Sequence, residues 1–327
     1  MLLLPFLLAY IFLKNIIVRC NYINLDYQKN QQKGNSDVIN KNDKIRIIDA
    51  VVNLQTPEAL EFRPSDRRAF YVDKMNVDSS IFEGIKIDDL LGLMDKSGVE
   101  KAFLIATKIG QIGLPGSYHL PYDLISKEIK KNPSRFYGLA GIDPTEGMPG
   151  VLELESAVTD LNFIGAHAYP HWFELEPDHR KFYPFYAKCV ELDIPIQIQV
   201  GQSLIYSSAA PKRSTGRPIS LDTVACDFPD LKIIGIHIGI PWHDEMIAMA
   251  WKHPNVFIGC DAHAPKYWPA SFVKYLNSYG QDKVIFGTDF PVIEFSRAKN
   301  EILNLGLRDS VLEKLFCKNV ERIYNLK

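Results

Sequence analysis

The stretch VIFGTDFP, residues 284–291, places a carboxylate directly after an apolar run. Residues 284–286 are apolar, a Gly–Thr pair follows them, and Asp289 stands just before a turn that contains proline. A buried parallel strand presents a charged group at its C-terminal end in this way, and many α/β enzymes keep their chemistry there. Since an aspartate in a turn or a helix cap has a similar local sequence, the rest of the chain has to decide between the two interpretations.

Short β-branched runs alternate with longer helical patterns along the chain. They predict eight strands, at residues 45–52, 99–107, 136–142, 162–169, 194–200, 231–238, 255–260 and 283–289. Strands that alternate with helices form βαβ units and a parallel sheet, and eight such units favour a closed (β/α)8 TIM barrel. An open doubly wound sheet is the alternative, but it usually carries a glycine-rich phosphate turn, and VVNLQTPEA after the first strand has no glycine. The sequence therefore predicts an α/β protein of the TIM-barrel class.

The composition is that of an ordinary globular protein. The chain has 327 residues, of which 46% are hydrophobic, and its net charge is −2. This length fits one large α/β domain or two small ones, and the absence of a basic excess argues against a nucleic-acid partner. We expect residues 1–43, an apolar segment plus a polar linker, to lie outside the fold, and residues 44–327 to form the barrel domain.

Two features give opposite indications of the cellular compartment. The five cysteines form no C-x-x-C pair, and four of them sit among apolar residues, as buried free thiols do. Such thiols favour a reducing compartment, hence the cytoplasm. The apolar run Met1–Leu13 has the length of a signal peptide, so an exported or membrane-tethered protein is the alternative. Any membrane contact is expected through this segment alone.

Polar side chains recur where the predicted strands end. In a barrel these ends line the mouth that carries the active site, and such a set of polar ends is hard to explain as core packing. In chain order the residues are Asn53, Lys108, Asp143, His167, Gln199, His237, Cys260 to His263, and Asp289.

Five stretches of the chain carry a resemblance to a known family. They read IIDAVVNLQTPE, IGIHIGIPWHDE, VFIGCDAHAP, KVIFGTDFP and KNVERIYNL, and the likeness spans roughly residues 45–327. The chain resembles the amidohydrolase-related family, the metal-dependent hydrolase barrel that includes aminocarboxymuconate-semialdehyde decarboxylase and related carboxy-lyases. The resemblance implies a TIM barrel that acts as a hydrolase or a decarboxylase.

The resemblance also implies a metal site, from which this chain departs. Family members open with D-x-H-x-H on the first strand, and further ligands are a histidine ending strand 5 and the strand 8 aspartate. Asp49 and Asp289 match this pattern, but Val51, Asn53 and Gln199 stand at the histidine positions. Valine cannot coordinate a metal, and amide oxygens are weak ligands for a Zn²⁺-like ion. We therefore expect no stoichiometric metal.

The alternative is one divalent metal, Zn or Mn, at a displaced position. Asp289 would then be a ligand, with His167, His237 and His263 as possible partners.

The site residues predicted for catalysis are His237, Asp289 and His167. His237 matches the family histidine that assists proton transfer, so it would act as general acid or base, and Asp289 would orient or polarise it. His167 lies on strand 4, which supplies a metal-bridging or general-base group in relatives.

Substrate contacts are predicted for a second set of residues. Asn53 and Gln199 would hydrogen-bond the substrate, Arg63 in the loop after the first strand would clamp a carboxylate, and Trp242 would help to wall the pocket. The predicted function is thus a hydrolase or decarboxylase that acts on a small carboxylated or aromatic molecule and has lost most of the family's metal ligands. A catalytically silent barrel that binds a small ligand or a protein partner is the alternative, and a homodimer is possible.

Overall fold

The strand that leads to Asp289 is the last of eight parallel strands that close into a barrel. The computed structural model describes residues 45–65, 67–204 and 211–326. Its strands are β1 (Ile47–Val52), β2 (Val99–Ala106), β3 (Lys108–Ile109), β4 (Tyr118–His119), β5 (Phe136–Ile142), β6 (Gly165–Ala168), β7 (Ile196–Gln199), β8 (Ile233–Ile236), β9 (Val256–Gly259) and β10 (Val284–Ile285). All except β3 and β4 belong to one sheet, in which each strand pairs in parallel with its neighbours along the chain.

The two ends of this sheet meet and close the barrel. Val52 of β1 forms a parallel bridge with Phe290, just beyond β10. The Ala50 N–H donates to the Phe286 carbonyl at 3.1 Å, and the Asn53 N–H donates to the Phe290 carbonyl at 2.9 Å. The predicted (β/α)8 barrel is therefore confirmed, and the polar residues that follow each strand gather at one end.

Helices cover the outside of the sheet. The α-helices are α1 (Pro57–Leu60), α2 (Arg67–Ala69), α3 (Ile87–Ser97), α4 (Tyr122–Lys131), α5 (Met148–Thr159), α6 (Pro170–Phe173), α7 (Tyr183–Glu191), α8 (Leu221–Asp227), α9 (His243–Lys252), α10 (Ala270–Leu276), α11 (Phe295–Leu303), α12 (Asp309–Glu313) and α13 (Asn319–Ile323). Single 3₁₀ or π turns add Phe70–Lys74, Ser79–Glu83, Pro218–Ser220, His237–Gly239, Pro265–Tyr267 and Lys314–Lys318.

The helix α11 follows the last strand and is not predicted by the sequence pattern. Its buried residues are Phe295, Ala298 and Ile302, which share one face, and the remaining positions of FSRAKNEIL are mostly polar. The Glu294 side chain accepts hydrogen bonds from two backbone N–H groups of the first turn, which satisfies donors that have no partner inside a helix. A stripe this narrow is too weak to identify beside the strong apolar runs of the strands.

A hydrogen-bonded seam ties the first strand to the segment that carries Asp289. The Asp49 carboxylate accepts from the Thr288 hydroxyl at 2.6 Å, from the Thr288 N–H at 3.1 Å and from the Val51 N–H at 3.0 Å. Asp49 is fully buried, and this burial raises its pKa to about 7 in spite of the three donors. The seam holds the backbone immediately before Asp289 in place.

The hairpin of β3 and β4 adds a wall beside the barrel mouth. The two strands pair antiparallel, Lys108 opposite His119 and Ile109 opposite Tyr118. Because side chains alternate across a strand, Ile109 and Tyr118 share the face that lines the central cavity. Lys108 points to the other face, where its Nζ lies 2.6 Å from the Glu146 carboxylate.

The predictions about the termini and thiols have mixed outcomes. Cys189, Cys260 and Cys317 are buried free thiols as expected, and Cys226 is an exposed free thiol on α8. Residues 1–43, including Cys20, lie outside the described residues, so the predictions for them stand untested. Within the described ranges, no helix is long and apolar enough to cross a membrane.

Candidate active site

A cavity of about 770 Å³, part of it open to solvent, lies at the C-terminal end of the barrel strands. Aromatic side chains form much of its wall, namely Phe70, Tyr71, Tyr118, Tyr169 and Trp172. The polar side chains that line it include Asn53, His171, Gln199, His237, His263 and Asp289. Aromatic walls together with convergent polar groups are common in small-molecule sites.

His237 is held at the cavity by a carboxylate behind it. It follows β8, and its Nδ1 lies 2.8 Å from the Oδ2 of Asp261, which is fully buried after β9. The Asp261 Oδ1 also accepts from the His237 N–H at 3.0 Å. Since Nδ1 is engaged with Asp261, Nε2 is the ring nitrogen left for the cavity.

The charge environment of His237 favours its protonated form. Burial by itself would lower the pKa of His237, but the charge of Asp261, the hydrogen bond to it and the charge of Asp289 outweigh burial and raise that pKa. The same pairing lowers the pKa of Asp261 against the opposing effect of its own burial. The cavity thus contains an imidazolium that keeps its proton to higher pH than a free histidine.

Asp289 faces the cavity instead of capping a helix or a turn with its side chain. Its Oδ1 accepts a hydrogen bond from the Asn53 Nδ2 at 2.8 Å, and the same Nδ2 donates to the Phe290 carbonyl at 3.0 Å. Burial is the largest influence on Asp289 and raises its pKa to about 7, although the nearby charges of His237 and Arg63 act in the opposite direction.

Backbone strain is concentrated where three neighbouring strands end. His237 and Ile238 after β8, Ala262 after β9 and Asp289 after β10 have φ values of 66°, 59°, 63° and 54°. A non-glycine residue in this left-handed region costs about 1–2 kcal/mol, and such strain is found most often at functional sites. The strained residues surround the His237–Asp261 pair.

His167 does not reach the cavity, contrary to the role predicted for it. It is buried in the barrel on β6, and its Nδ1 is 2.9 Å from the Gln197 Oε1. Tyr169, two residues further along the chain, lines the cavity, with its ring centre 4.4 Å from that of His167. Burial lowers the pKa of His167 to about 3, so the imidazole is neutral.

Only some of the residues predicted to contact the substrate line the cavity. Gln199 lines the cavity with Asn53, but Arg63 does not form part of the lining. One Nη of Arg63 donates to the Leu54 carbonyl at 2.9 Å, and the guanidinium lies 5.7 Å from the Tyr118 ring centre. Its buried Nε has no hydrogen-bond partner among the described residues. Arg63 therefore stands behind the wall that Tyr118 forms.

Trp242 lies outside the cavity lining, away from the pocket wall where it is predicted. It directly precedes α9, and the Arg217 guanidinium covers its ring at 4.9 Å. A cation stacked on an indole is a common way to shield an aromatic side chain outside the core.

Three other strand-end residues also point away from the cavity. Lys108 is buried between Glu146 and Glu153, with its Nζ 2.6 Å and 2.5 Å from their carboxylates. Asp143 accepts from the backbone N–H two residues further on, at 2.7 Å. Cys260 is buried beneath the mouth. These contacts stabilise the rim and leave the cavity to the residues described above.

Val51 and Asn53 stand at two of the positions where the resemblance implies metal ligands. Val51 is buried and apolar, and Asn53 turns its amide N–H, not its oxygen, toward Asp289. Among the described residues, two groups of His, Cys, Asp and Glu bring three ligand atoms within 4.8 Å of one another, namely Asp222–Cys226–His253 and His119–Asp143–Glu146.

The predicted displaced set of His167, His237, His263 and Asp289 is not one of these two groups. His167 lies below the cavity, and the Nδ1 of His237 is engaged with Asp261. Candidate metal ligands therefore exist among the described residues, at other positions than the sequence predicts, and they support the alternative of a divalent metal over the expectation of none.

The pairing of Asp261 with His237 is missed by sequence reasoning. Residues 260–263 are predicted at the mouth only as a group, and no residue among them is assigned to His237. The available signal is strand order. The predicted sixth and seventh barrel strands, which are β8 and β9 of the structure, are neighbours in a barrel, so the residues that follow them must adjoin.

Comparison with known proteins identifies the family. The family model described as Amidohydrolase matches residues 62–326. The chain is 22% identical over 296 residues to the gamma-resorcylate decarboxylase of Polaromonas sp. (strain JS666 / ATCC BAA-500), covering 73% of this chain and 87% of that protein. This chain belongs to the amidohydrolase family, which confirms the resemblance seen in its sequence.

Two solved structures show the same barrel. The uncharacterised TIM-barrel protein Bb4693 from Bordetella bronchiseptica superposes with a TM-score of 0.72 at 23% identity, over 86% of this chain and 99% of that one. The dihydroxybenzoic acid decarboxylase from Polaromonas sp. JS666 has a TM-score of 0.62 at 18% identity, over 86% and 97%. That second structure contains bound manganese and the inhibitor 2-nitroresorcinol. At these identities the likeness shows the fold.

Proposed function

We propose that this protein is a decarboxylase of one-ring aromatic carboxylates, with His237 as the general acid. The observation that carries the proposal is the His237–Asp261 ion pair, 2.8 Å long, at an aromatic-walled cavity that Asp289 also lines. The family and a gamma-resorcylate decarboxylase as relative support it. A hydrolase would instead need an activated water, whereas a decarboxylase needs a proton donor, which the His237–Asp261 pair supplies at this cavity.

The reaction exchanges a carboxylate for a proton on one ring carbon. The His237 imidazolium gives its Nε2 proton to the carbon that carries the carboxylate, and a new C–H bond forms. The bond between the ring and the carboxylate then breaks, its electron pair returns to the ring, and carbon dioxide leaves. Neutral His237 is then reprotonated by hydronium or a protonated buffer molecule, so the sum is one aromatic carboxylate and one proton giving one arene and one carbon dioxide.

Asp289 and Asn53 suit a second contact with the substrate. The Asp289 carboxylate accepts a hydrogen bond from a substrate hydroxyl, which increases the electron density of the ring and favours its protonation. Asn53 donates to Asp289 at 2.8 Å and so orients the carboxylate. Gln199 offers an amide group to the substrate from the end of β7.

A divalent metal remains the alternative for the cofactor, and the structural neighbour with manganese supports it. The ligands available for one among the described residues lie in the groups Asp222–Cys226–His253 and His119–Asp143–Glu146, not around Asp289. We propose that the reaction uses this chain's own acid and base groups, and treatment with EDTA tests whether a metal takes part.

The proposal is tested by incubating the purified protein with gamma-resorcylate in D₂O and following resorcinol by chromatography and mass spectrometry. The expected result is resorcinol with one deuterium on the ring, and retention of the activity after metal removal with EDTA. His237→Gln should lower kcat by about 100-fold or more, because a general acid contributes that much. His179→Gln, outside the cavity, is the control.

Three outcomes would contradict the proposal. Binding of gamma-resorcylate without turnover would favour the catalytically silent barrel. Hydrolysis of an aromatic ester or amide, with no decarboxylation, would favour the hydrolase. Loss of activity with EDTA and its return with Mn²⁺ would place a metal in the reaction.

A further inference from the structure

His171 is a second histidine of the cavity, and neither the predicted site nor the proposed reaction uses it. It lies in the short helix α6 after β6, is 4% exposed and lines the cavity together with His237. Its Nδ1 accepts a hydrogen bond from the backbone N–H of Thr215 at 3.1 Å.

This backbone contact decides which ring nitrogen of His171 carries the proton. A backbone N–H can only donate, so Nδ1 must present its lone pair. A neutral imidazole has one proton, and here it is on Nε2. The tautomer follows from the chain itself and does not depend on a neighbouring side chain.

The surroundings also keep the His171 ring neutral. Burial lowers its pKa to about 4, and the charge of His237 acts in the same direction. The two histidines of the cavity are thus held in different forms, His237 by a carboxylate and His171 by an amide N–H.

The Nε2 edge of His171 lies against a residue that has no side chain, Gly216. This nitrogen has no hydrogen-bond partner among the described residues, and the residue lines the cavity. Gly216 packs against this edge, because a Cβ added there would lie 2.5 Å from Cε1 and 2.8 Å from Nε2. Gly216 is fixed by a bridge to Gly201, whose N–H donates to the Gly216 carbonyl at 2.7 Å.

We infer that His171 binds the substrate as a neutral hydrogen-bond donor, its Nε2–H pointing to an anionic oxygen of an aromatic carboxylate. The inference rests on the proposed function for the class of ligand and names a specificity residue of the same cavity. Because a neutral imidazole is a poor acid, His171 binds the substrate without protonating it. His237 therefore remains the acid that protonates the substrate ring. Ligands without an acceptor oxygen leave this N–H unpaired and bind weakly.

The tautomer can be measured without any ligand. In ¹⁵N-labelled protein at pH 7, the two ring nitrogens of His171 are assigned by comparison with the spectrum of His171→Asn. The expected result is a protonated Nε2 and an unprotonated Nδ1 that stay so down to about pH 5. A proton on Nδ1, or a charged ring at pH 7, would overturn the inference whatever the enzyme does.

Substrate binding to two variants separates the role of the His171 Nε2–H from that of the Nδ1 contact with Thr215. Gamma-resorcylate is titrated calorimetrically into the wild type, His171→Gln and His171→Asn. Asparagine can place its amide oxygen where Nδ1 was and keep the Thr215 contact, but it has no group at Nε2. Glutamine can place an amide N–H near Nε2. We expect Kd to rise about tenfold or more in His171→Asn and much less in His171→Gln.

Two further variants test whether the effect is specific to the position of the His171 ring. His179 also accepts a backbone N–H at Nδ1, from Lys181 at 3.3 Å, but lies outside the cavity lining. His179→Asn should therefore leave Kd unchanged. Gly216→Ala should raise Kd by displacing the His171 ring, and equal melting temperatures show that each variant is folded.

The outcomes distinguish the inference from the proposed function. Equal Kd values for the wild type and a folded His171→Asn would overturn the inference even if gamma-resorcylate is decarboxylated. Tight binding that depends on His171 without any turnover would refute the decarboxylase and support the inference. A wild type that binds no gamma-resorcylate would overturn both.

Discussion

His237 and Asp261 work as a pair because neither side chain tolerates its burial alone. Burial of the imidazole disfavours its charged form, and burial of the carboxylate does the same for Asp261. At 2.8 Å the opposite charges reverse both effects. Removal of one partner should therefore change the protonation of the other more than it changes the shape of the site.

We predict that Asp261→Asn moves the loss of activity to lower pH. The wild-type acid is His237 with a raised pKa, so its activity should fall as pH rises through that pKa. Without the Asp261 charge, burial dominates and the pKa of His237 falls below its ordinary value. The pH profile of kcat/KM for gamma-resorcylate should shift down by at least about one unit, and a ¹⁵N titration of His237 should follow it.

Asp143→Asn is the matched control for that experiment. Asp143 is also a buried aspartate after a barrel strand, but it does not line the cavity. Its pH profile should match the wild type. An unchanged profile in Asp261→Asn, with the protein folded, would show that another group is the acid.

At the scale of elements, the seam between β1 and the segment after β10 determines where Asp289 stands. Asp49 receives three hydrogen bonds there, two of them from Thr288, the residue before Asp289. Asp49 is not part of the cavity lining. We therefore expect Asp49 to contribute to the stability of the fold and not to substrate binding.

We predict that Asp49→Asn is tolerated and that Asp49→Ala is not. Asparagine keeps an acceptor for the two backbone N–H groups, whereas alanine leaves buried donors unpaired at a cost of about 2 kcal/mol or more. Denaturant unfolding of both variants measures the difference. A destabilisation of Asp49→Asn as large as that of Asp49→Ala would mean that the charge itself is required.

The pH dependence of this seam has a definite sign. The pKa of Asp49 is about 7 in the folded chain against 3.8 for a free side chain, so the folded form favours the proton. Stability from this group is complete below the pKa of the free side chain and is lost as pH rises through the folded pKa of about 7. An asparagine side chain does not titrate and has no such loss. As pH rises from about 5 to about 8, the free energy of unfolding of Asp49→Asn should therefore increase relative to that of the wild type.

At the scale of the whole molecule, the barrel begins with residues that are tied to it at once. Arg46 forms ion pairs with Glu100 at 2.7 Å and with Glu321 at 2.9 Å, and β1 starts at Ile47. The family model matches from residue 62 onward. The domain division at residue 44 and the homodimer stay predictions.

We predict that a chain beginning at Lys44 keeps the stability of the barrel. The first strand and its ion pairs remain in this variant, and the polar composition of residues 21–43 gives little apolar surface to bury. Its melting temperature should stay within about 4 °C of the full chain, which corresponds to less than about 1–2 kcal/mol for a protein of this size. A larger fall would show that the removed residues pack on the barrel.

Much of the architecture can be read from the sequence because strand order in a barrel repeats chain order. Each apolar run pairs with the next one, so local patterns are sufficient for all eight strands and for the polar ends such as Asn53 and Asp289. The amphipathic stripe of α11 is too narrow to see, and the β3–β4 hairpin has only two residues in each strand.

The sequence by itself determined the barrel, the family and the positions after each strand where chemistry could be placed. It could not decide which of those side chains share the cavity, because orientation depends on alternation, on strained backbone and on neighbours far along the chain. His167 is covered by Tyr169, Trp242 is covered by Arg217, and His237 takes Asp261 as its partner from the next strand. Protonation belongs to the tertiary structure as well, since burial and a facing charge or N–H, not residue type, separate His237 from His171.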